Sequence, residues 1–252
     1  MCAKNSKKKK SGKTGLIIAV VLLVLALLLA WILMDSRDDT GDPSAEETLP
    51  AESGMPETDS TGDAELMEFN LGEGLTLLAV SKYTGIYMED GTDEAVSNVL
   101  MMIVSNEGDR DIQYAEIMIP TSDGEARFKL STLPVGEKIV LLEQNRMPWS
   151  AEEVYSDVKA ENIAVFSEPL SLHEDQLEFQ ILDGALNVTN VSGENIAGDI
   201  VVYYKNAASD LLYGGITYRV RLEGGLKANE IRQIMANHFG QSGSRIMFAT
   251  IG

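Results

Sequence analysis

Residues of the types that do chemistry are few in this sequence and stand far apart. The two histidines, His173 and His238, have neither a second His nor a Cys nearby, so neither belongs to the clustered ligand set that binds a metal ion. His173 begins a His-Glu-Asp run that is typical of a solvated loop. Adjacent carboxylates such as Glu152 and Glu153 could serve acid–base catalysis only inside a cleft. The sequence therefore predicts no metal site, no cofactor and no catalytic residue.

Two short motifs look like catalytic loops, but each lacks a residue that the chemistry requires. Residues 240–244 read GQSGS, with Ser244 where a nucleophile elbow has glycine, and we expect them to join two strands. Residues 11–14 read SGKT, the end of a phosphate-binding loop, but Lys7 occupies the position of its first glycine. We therefore predict that the protein is not an enzyme, and we identify no small-molecule substrate.

The elements that would position any site begin with an apolar run. From Leu16 to Met34 the sequence reads LIIAVVLLVLALLLAWILM, nineteen residues without a charge. As a helix this run would be about 28 Å long, close to the thickness of the hydrocarbon core of a bilayer. We predict a single transmembrane helix over residues 16–34, with the lipid bilayer as its partner. The alternative is a cleaved signal peptide, but such peptides have a shorter apolar region and small residues at its end, where this chain has Leu33 and Met34.

The charge on either side of this run predicts its orientation. Residues 1–15 carry six lysines and no acidic residue, and the positive-inside rule places such a tail in the cytoplasm. Beyond Met34 the chain has 39 acidic and 14 basic residues, a net charge of −25. We therefore predict a single-pass protein of the cell membrane whose C-terminal domains are extracellular. We expect no nucleic-acid partner, because phosphate recognition needs clustered Lys and Arg.

Residues 35–67 are predicted to be a disordered acidic linker. They hold eleven acidic residues and one arginine among repeated Pro, Gly, Ser and Thr, and such a segment cannot bury enough apolar surface to fold. The single cysteine, Cys2, lies before the apolar run, so no disulfide can form within the part beyond it. Any folded domain there must be held together by a hydrophobic core.

From residue 68 onward, short alternating apolar runs are separated by turn residues such as Asp183 and Gly184. This pattern predicts an all-β fold, a sandwich or a barrel. The predicted strands span residues 75–81, 95–106, 111–119, 125–130, 138–143, 162–167, 176–182, 185–191, 196–205, 213–222, 230–239 and 244–251. Residues 150–160 are the exception, because Ser150 followed by Glu153 favours a short helix.

An internal repeat divides this half of the chain. The segment VSNEGDRDIQYAEIMI aligns with VTNVSGENIAGDIVVY at a constant offset of 84 residues, which superposes Asn106 on Asn190. Further matches indicate that the second copy has gained about nine residues in the hairpin around residues 207–215. We predict two tandem antiparallel β-sandwich domains, residues 68–170 and 171–252.

The segments that follow these two turns also match. The first copy reads LPVGE over residues 133–137 and leads into a strand. In the second copy Leu226 and Glu230 take the same places, with Lys227 and Asn229 instead of Pro and Gly. This pattern resembles the cysteine-free immunoglobulin-like and fibronectin-III-like modules of membrane-anchored Gram-positive bacterial surface proteins. The resemblance implies tandem immunoglobulin-like β-sandwiches.

We expect a non-catalytic module that presents two sandwiches to a protein or cell-wall partner outside the cell. The alternative is an accessory or regulatory subunit of a membrane complex, or an ectoenzyme, with a site built from loops. The enlarged hairpin of the second copy is the best candidate for binding, because loops at the ends of sandwiches carry function and its apolar residues could be exposed. The candidate residues are Ala208, Asp210, Leu211, Leu212 and Tyr213.

Overall fold

The computed structural model describes residues 65–236, 238–240 and 243–252. Thirteen β-strands occupy them, and no α-helix occurs among these residues, which confirms the predicted all-β class. The strands are β1 (Glu65–Gly72), β2 (Leu75–Ile86), β3 (Ala95–Asn106), β4 (Ile112–Thr121), β5 (Gly124–Leu133), β6 (Lys138–Leu142), β7 (Lys159–Val165), β8 (Leu177–Leu182), β9 (Ala185–Asn190), β10 (Ile200–Ala208), β11 (Leu211–Leu222), β12 (Ile231–Met235) and β13 (Ser244–Ile251).

Several predictions concern residues that the structure does not describe. The cytoplasmic tail (1–15), the transmembrane helix (16–34) and most of the acidic linker (35–64) lie outside the described residues, as do Gln241 and Ser242. Within the described part of the chain, no helix has the length and apolar character needed to cross a membrane.

The strands form one large sheet and two small ones. The large sheet has the order β1-β2-β3-β6-β11-β10-β13, and the small sheets have the orders β5-β4-β7 and β12-β9-β8. The pairing of β6 with β11 is parallel, and every other pairing among these strands is antiparallel. The parallel pair lies where the first half of the large sheet meets the second.

The order of pairing recurs along the chain. Strands β2 to β7 pair as β2-β3-β6 and β5-β4-β7, and strands β8 to β13 pair as β8-β9-β12 and β11-β10-β13. In each set of six, the first, second and fifth strands share one sheet, and the fourth, third and sixth share another. The large sheet arises because β6 pairs with β11 across the two sets. The predicted domain boundary at residue 170 falls between β7 and β8.

An apolar core lies within each set of strands. Leu75, Leu77, Ile117, Phe128 and Leu141 are among the buried residues of the first core, and Leu186, Val188, Ile200, Val202 and Leu222 are among those of the second. Ala207 and Leu212, from β10 and β11, belong to the first core although they come from the second set of strands. The hairpin that joins β10 to β11 therefore packs on the first half of the fold.

Two buried asparagines, both fully shielded from solvent, hold equivalent corners of the two sets. The Asn106 amide donates to the carbonyl oxygens of Arg110, at 2.9 Å, and Leu133, at 3.0 Å. The Asn190 amide donates to those of Glu194, at 2.6 Å, and Leu226, at 3.3 Å. In each case a main-chain corner four residues on is tied to a later segment, which is the end of β5 in the first set and Leu226, four residues after β11, in the second. The matched positions in the sequence repeat thus make matched hydrogen bonds.

We predict that Asn106→Ala and Asn190→Ala each lower the free energy of unfolding by about 3 kcal/mol, because buried carbonyl groups lose their donors. The matched control is Asn187→Ala, in the same strand as Asn190, whose side-chain amide donates to the exposed side chain of Gln180 at 2.9 Å and accepts from that of Gln233 at 3.2 Å. It should cost less than about 0.5 kcal/mol. Urea unfolding of the full-length variants measures all three, and equal costs for Asn190→Ala and Asn187→Ala would contradict the assignment.

The structure differs from the sequence prediction at two elements. Strand β1 begins at Glu65, inside the predicted linker, and pairs with β2 from Glu65↔Val80 to Gly72↔Leu75. Residues 150–160 form a turn and loop followed by the start of β7, not a helix. The predicted capping residue Glu153 bonds to a different turn. Its carboxylate accepts hydrogen bonds from Ser122, from the backbone N–H at 2.9 Å and from the hydroxyl at 2.6 Å.

Candidate functional site

The hairpin predicted to bind a partner is built into the fold. β10 and β11 continue to Ala208 and Leu211, so only Ser209 and the exposed Asp210 form its turn. Leu212 and Tyr213 are buried, not exposed as expected. Leu211, Leu212 and Tyr213 pair in parallel with residues 138–140 of β6. These side chains contact the chain itself, and a binding role for the tip at Asp210 stays a prediction.

β11 leaves β6 just after this parallel pairing, and its ladder with β10 is interrupted at the same point. It pairs with Asn206 of β10 at Tyr213 and next with Tyr204 at Tyr218, so residues 214–217 bulge out opposite the single residue Lys205. Gly214 has φ +80°, in the region that favours glycine. A β-carbon at Gly215 would lie 1.8 Å from the Lys129 carbonyl oxygen. The sharp bend therefore needs both glycines, and it removes their backbone groups from the β-ladder.

The carboxylate of Glu89, from the loop between β2 and β3, accepts hydrogen bonds at this bend. Its Oε1 accepts from the backbone N–H of Leu142 at 2.9 Å, and its Oε2 from that of Gly215 at 2.8 Å. The loop itself is held by Arg146, which forms ion pairs with Asp90 and Glu94. Glu89 thus joins the end of β6 to the bulge of β11.

The ammonium group of Lys205 donates hydrogen bonds to the carbonyl groups of the bulge. Its Nζ donates to the carbonyl oxygens of Gly214 at 3.1 Å, Gly215 at 3.3 Å and Ile216 at 2.8 Å. Lys205 is fully buried and Glu89 is 8 % exposed. The bulge is therefore filled by two opposite charges, each of which bonds main-chain groups.

Burial changes the proton affinity of both groups. Desolvation raises the pKa of Glu89 to about 7, against the opposing effects of its backbone hydrogen bonds and Lys205. Desolvation lowers the pKa of Lys205 to about 7, against the attraction of Glu89. In the unfolded chain Glu89 loses its proton near pH 4.5, so this residue destabilises the fold increasingly as the pH rises from about 4.5 to 7. Lys205 gains its proton near pH 10.5 in the unfolded chain, so it destabilises the fold increasingly as the pH falls from about 10.5 to 7.

We predict that this pair contributes least to stability near pH 7. We compare the free energy of unfolding of the full-length chain with that of the Glu89→Gln/Lys205→Met double variant. The difference, full-length chain minus variant, should be smallest near pH 7 when it is measured between pH 5 and 9. The control is the Glu73→Gln/Arg110→Met double variant, which removes an exposed ion pair. The difference in the free energy of unfolding between the full-length chain and this control should change little with pH. Urea unfolding at each pH measures both, and a flat profile for the buried pair would contradict this reading.

A second feature lies at the far end of the fold, where β8 and β13 both end their sheets. Between the two strands opens a groove of about 610 Å³. This volume lies within the range of pockets that hold ligands. Its apolar lining consists of Leu172, Leu177, Phe179, Ile181, Val191 and Ile246. Leu177 belongs to the second core, and Phe179, Ile181 and Ile246 pack against that core. The groove therefore gives access from one side to the interior of the second set of strands.

Backbone groups of β8 also face the groove. The N–H of Val191 bonds to the carbonyl of Gln176, so residues 176 and 191 form a hydrogen-bonded pair of the β8–β9 ladder. In an antiparallel pair such bonds alternate, so the N–H and C=O groups of Phe179 and Ile181 point away from β9. The sheet can therefore accept one more strand along this edge.

The opposite wall of the groove is partly closed. The N–H of Ala249 in β13 donates to the carbonyl of Ser171 at 2.9 Å, so the segment before β8 covers that end of the β13 edge. Arg245 lines the groove but forms an ion pair with Glu137 at 2.5 Å. The remaining charges of the lining are the carboxylates of Glu174 and Glu178. The groove is thus apolar inside with acidic side chains in its lining.

The other residues considered from the sequence are not brought together. His173 lies in the loop before β8 and is half-buried, whereas His238 pairs with Asp93 at 3.1 Å and stacks on Tyr218. Ser244 begins β13, next to the groove. In the described part of the chain, no three His, Cys, Asp or Glu side chains form a group that could hold a metal ion. The expectation of no metal and no catalytic residue stays a prediction.

Sequence reasoning missed the two features that the structure brings forward. Glu89 and Lys205 are 116 positions apart in the chain and stand in unremarkable contexts, so no spacing links them. The groove depends on which strand lacks a neighbour, and β8 has the same alternating pattern as a strand with two neighbours. The only available signal was the repeat, which could have shown that one copy is preceded by an extra strand and the other is not.

No known protein-family model matches this sequence, and neither a curated protein nor a solved structure matches it.

Proposed function

We propose that this protein is a non-catalytic binding module, tethered to the cell membrane, that holds part of another protein in the groove between β8 and β13. The observation that carries the proposal is the coincidence of an apolar groove with two strand edges at one end of the fold. An apolar interior with a few polar groups at its margin suits a ligand that is largely buried on binding.

The N-terminal charge pattern and the strand order support a membrane location and a tandem architecture. The apolar run over residues 16–34 and its six preceding lysines support a single-pass anchor with the folded part outside the cell. The recurring order of six strands supports two tandem immunoglobulin-like β-sandwiches, joined by β6 and β11. In this arrangement the acidic linker separates the sandwiches from the membrane, and the groove lies in the second sandwich.

The membrane topology predicts how cysteines react. In intact cells, a membrane-impermeant maleimide should not label Cys2, the only cysteine, until the membrane is permeabilised. A Cys2→Ser/Ile231→Cys variant should be labelled in intact cells, because Ile231 is 63 % exposed, lies away from the groove and belongs to the part expected outside. Gel analysis of the labelled full-length protein measures both. Labelling of Cys2 before permeabilisation would contradict the orientation.

Binding in the groove predicts position-specific crosslinking. A photoreactive phenylalanine analogue at Val191 should attach the full-length protein to another polypeptide in intact cells. The control places the analogue at Ile231, which is 63 % exposed on β12, at the other end of the same small sheet. Mass spectrometry identifies the class of molecule attached. No adduct, equal adducts at both positions, or attachment only to glycan or lipid would contradict the proposed function.

A further inference from the structure

We propose that the groove binds its partner by strand addition: an extended segment of a partner protein, with apolar side chains on one face and basic residues beside them, pairs with the free edge of β8. This inference rests on the proposed function and names the partner's chemistry. Strand addition supplies main-chain hydrogen bonds for affinity, and side-chain pockets select the sequence.

The first set of strands contains its own example of this arrangement. There β1 pairs with the outer edge of β2, and its Leu71 enters the first core. The buried asparagines give the equivalence, because Leu75 of β2 pairs with Asn106 and Leu177 of β8 pairs with Asn190. The edge that β1 covers on β2 thus corresponds to residues 177–181 of β8, whose outer side has no strand partner among the described residues.

The open edge offers both kinds of contact that β1 makes. Within the described part of the chain, the outward N–H and C=O groups of Phe179 and Ile181 have no strand partner, and an added strand would satisfy them. Their side chains line the groove with Ile246 and pack against the second core, so an inward-facing apolar residue of the added strand would extend that core as Leu71 extends the first. A flat apolar patch would offer the apolar contact without the backbone hydrogen bonds.

Charge identifies the class of segment. Glu174 and Glu178, whose carboxylates form no ion pair among the described residues, lie in the groove lining, while Arg245 pairs with Glu137. From Glu65 onward the chain has 29 acidic and 13 basic residues, a net charge of −16, so an approaching acidic strand is repelled. A segment with Lys or Arg beside its apolar residues fits this surface, and the strand β1 of a second copy, which carries Glu65 and Glu68, does not.

The test uses the full-length chain and two synthetic peptides. One has the β1 sequence ELMEFNLG, and the other is KLMKFNLG, with both acids replaced by lysine. By fluorescence anisotropy, the lysine peptide should bind at least about threefold more tightly at low salt. The Glu174→Gln/Glu178→Gln variant should reduce that preference. These two measurements test the charge of the partner.

Backbone methylation tests strand pairing. The lysine peptide is also made with N-methyl groups on either the odd or the even residues, because only one of these sets faces β8. Methylation of the facing set should weaken binding at least about tenfold, since several hydrogen bonds are lost together, and the other set should have little effect. Val191→Arg should abolish binding, whereas Ile231→Arg, which places the same charge on exposed β12, should leave it within about twofold.

Each result has a distinct meaning. If both methylated peptides bind equally well, the groove binds without strand pairing, which overturns this inference but leaves the proposed function standing. If ELMEFNLG binds as tightly as KLMKFNLG and the chain self-associates, β1 of a second copy is the occupant and the stated partner chemistry is wrong. If neither peptide binds the chain, strand addition is overturned, and the crosslink at Val191 then decides separately on the proposed function.

Discussion

The fold depends on satisfying the buried backbone groups where β11 leaves β6 and its ladder with β10 is interrupted. A buried N–H or C=O without a partner is costly, and the bulge over residues 214–217 removes several from the ladder at once. Glu89 accepts from the N–H groups there, and Lys205 donates to the C=O groups. Two charges buried in a protein interior are themselves costly. They are tolerated because each replaces main-chain partners that the bend cannot supply.

The same bend explains what the enlarged hairpin of the second copy does. In the first copy the segment from Ile112 to its partner Leu133 has 22 residues, and in the second the segment from Ile196 to its partner Leu226 has 31. The additional length carries β10 and β11 across to β6 and places Leu212 in the first core. Sequence reasoning located this insertion but interpreted its apolar residues as a surface for an outside partner. Apolar side chains look alike whether they bind another protein or the chain's own first half.

Much of the fold was readable because alternation and turns are local signals. All twelve strands proposed from residue 75 onward exist, and the two asparagines matched by the repeat make matched bonds. The failures lie where a distant partner decides. The start of β1 was assigned to the linker because its acidic residues continue the composition of that segment. It is a strand because it pairs with β2. Ser150 and Glu153 look like a helix cap, yet Glu153 bonds to the distant turn at Ser122.

The groove follows from the path of a few residues. Before β2, the chain forms β1 and turns back through Glu73 and Gly74 to cover the β2 edge; before β8, it runs instead beside β13, where Ser171 accepts from Ala249. The second set therefore gains cover on β13 and leaves β8 open. Exposed strand edges invite unwanted pairing, and proteins limit this by keeping them short or placing charges on them. β8 has only six residues and carries Glu178. A short edge that carries an acidic residue can still pair with a basic strand. It repels acidic strands such as β1 of a second copy.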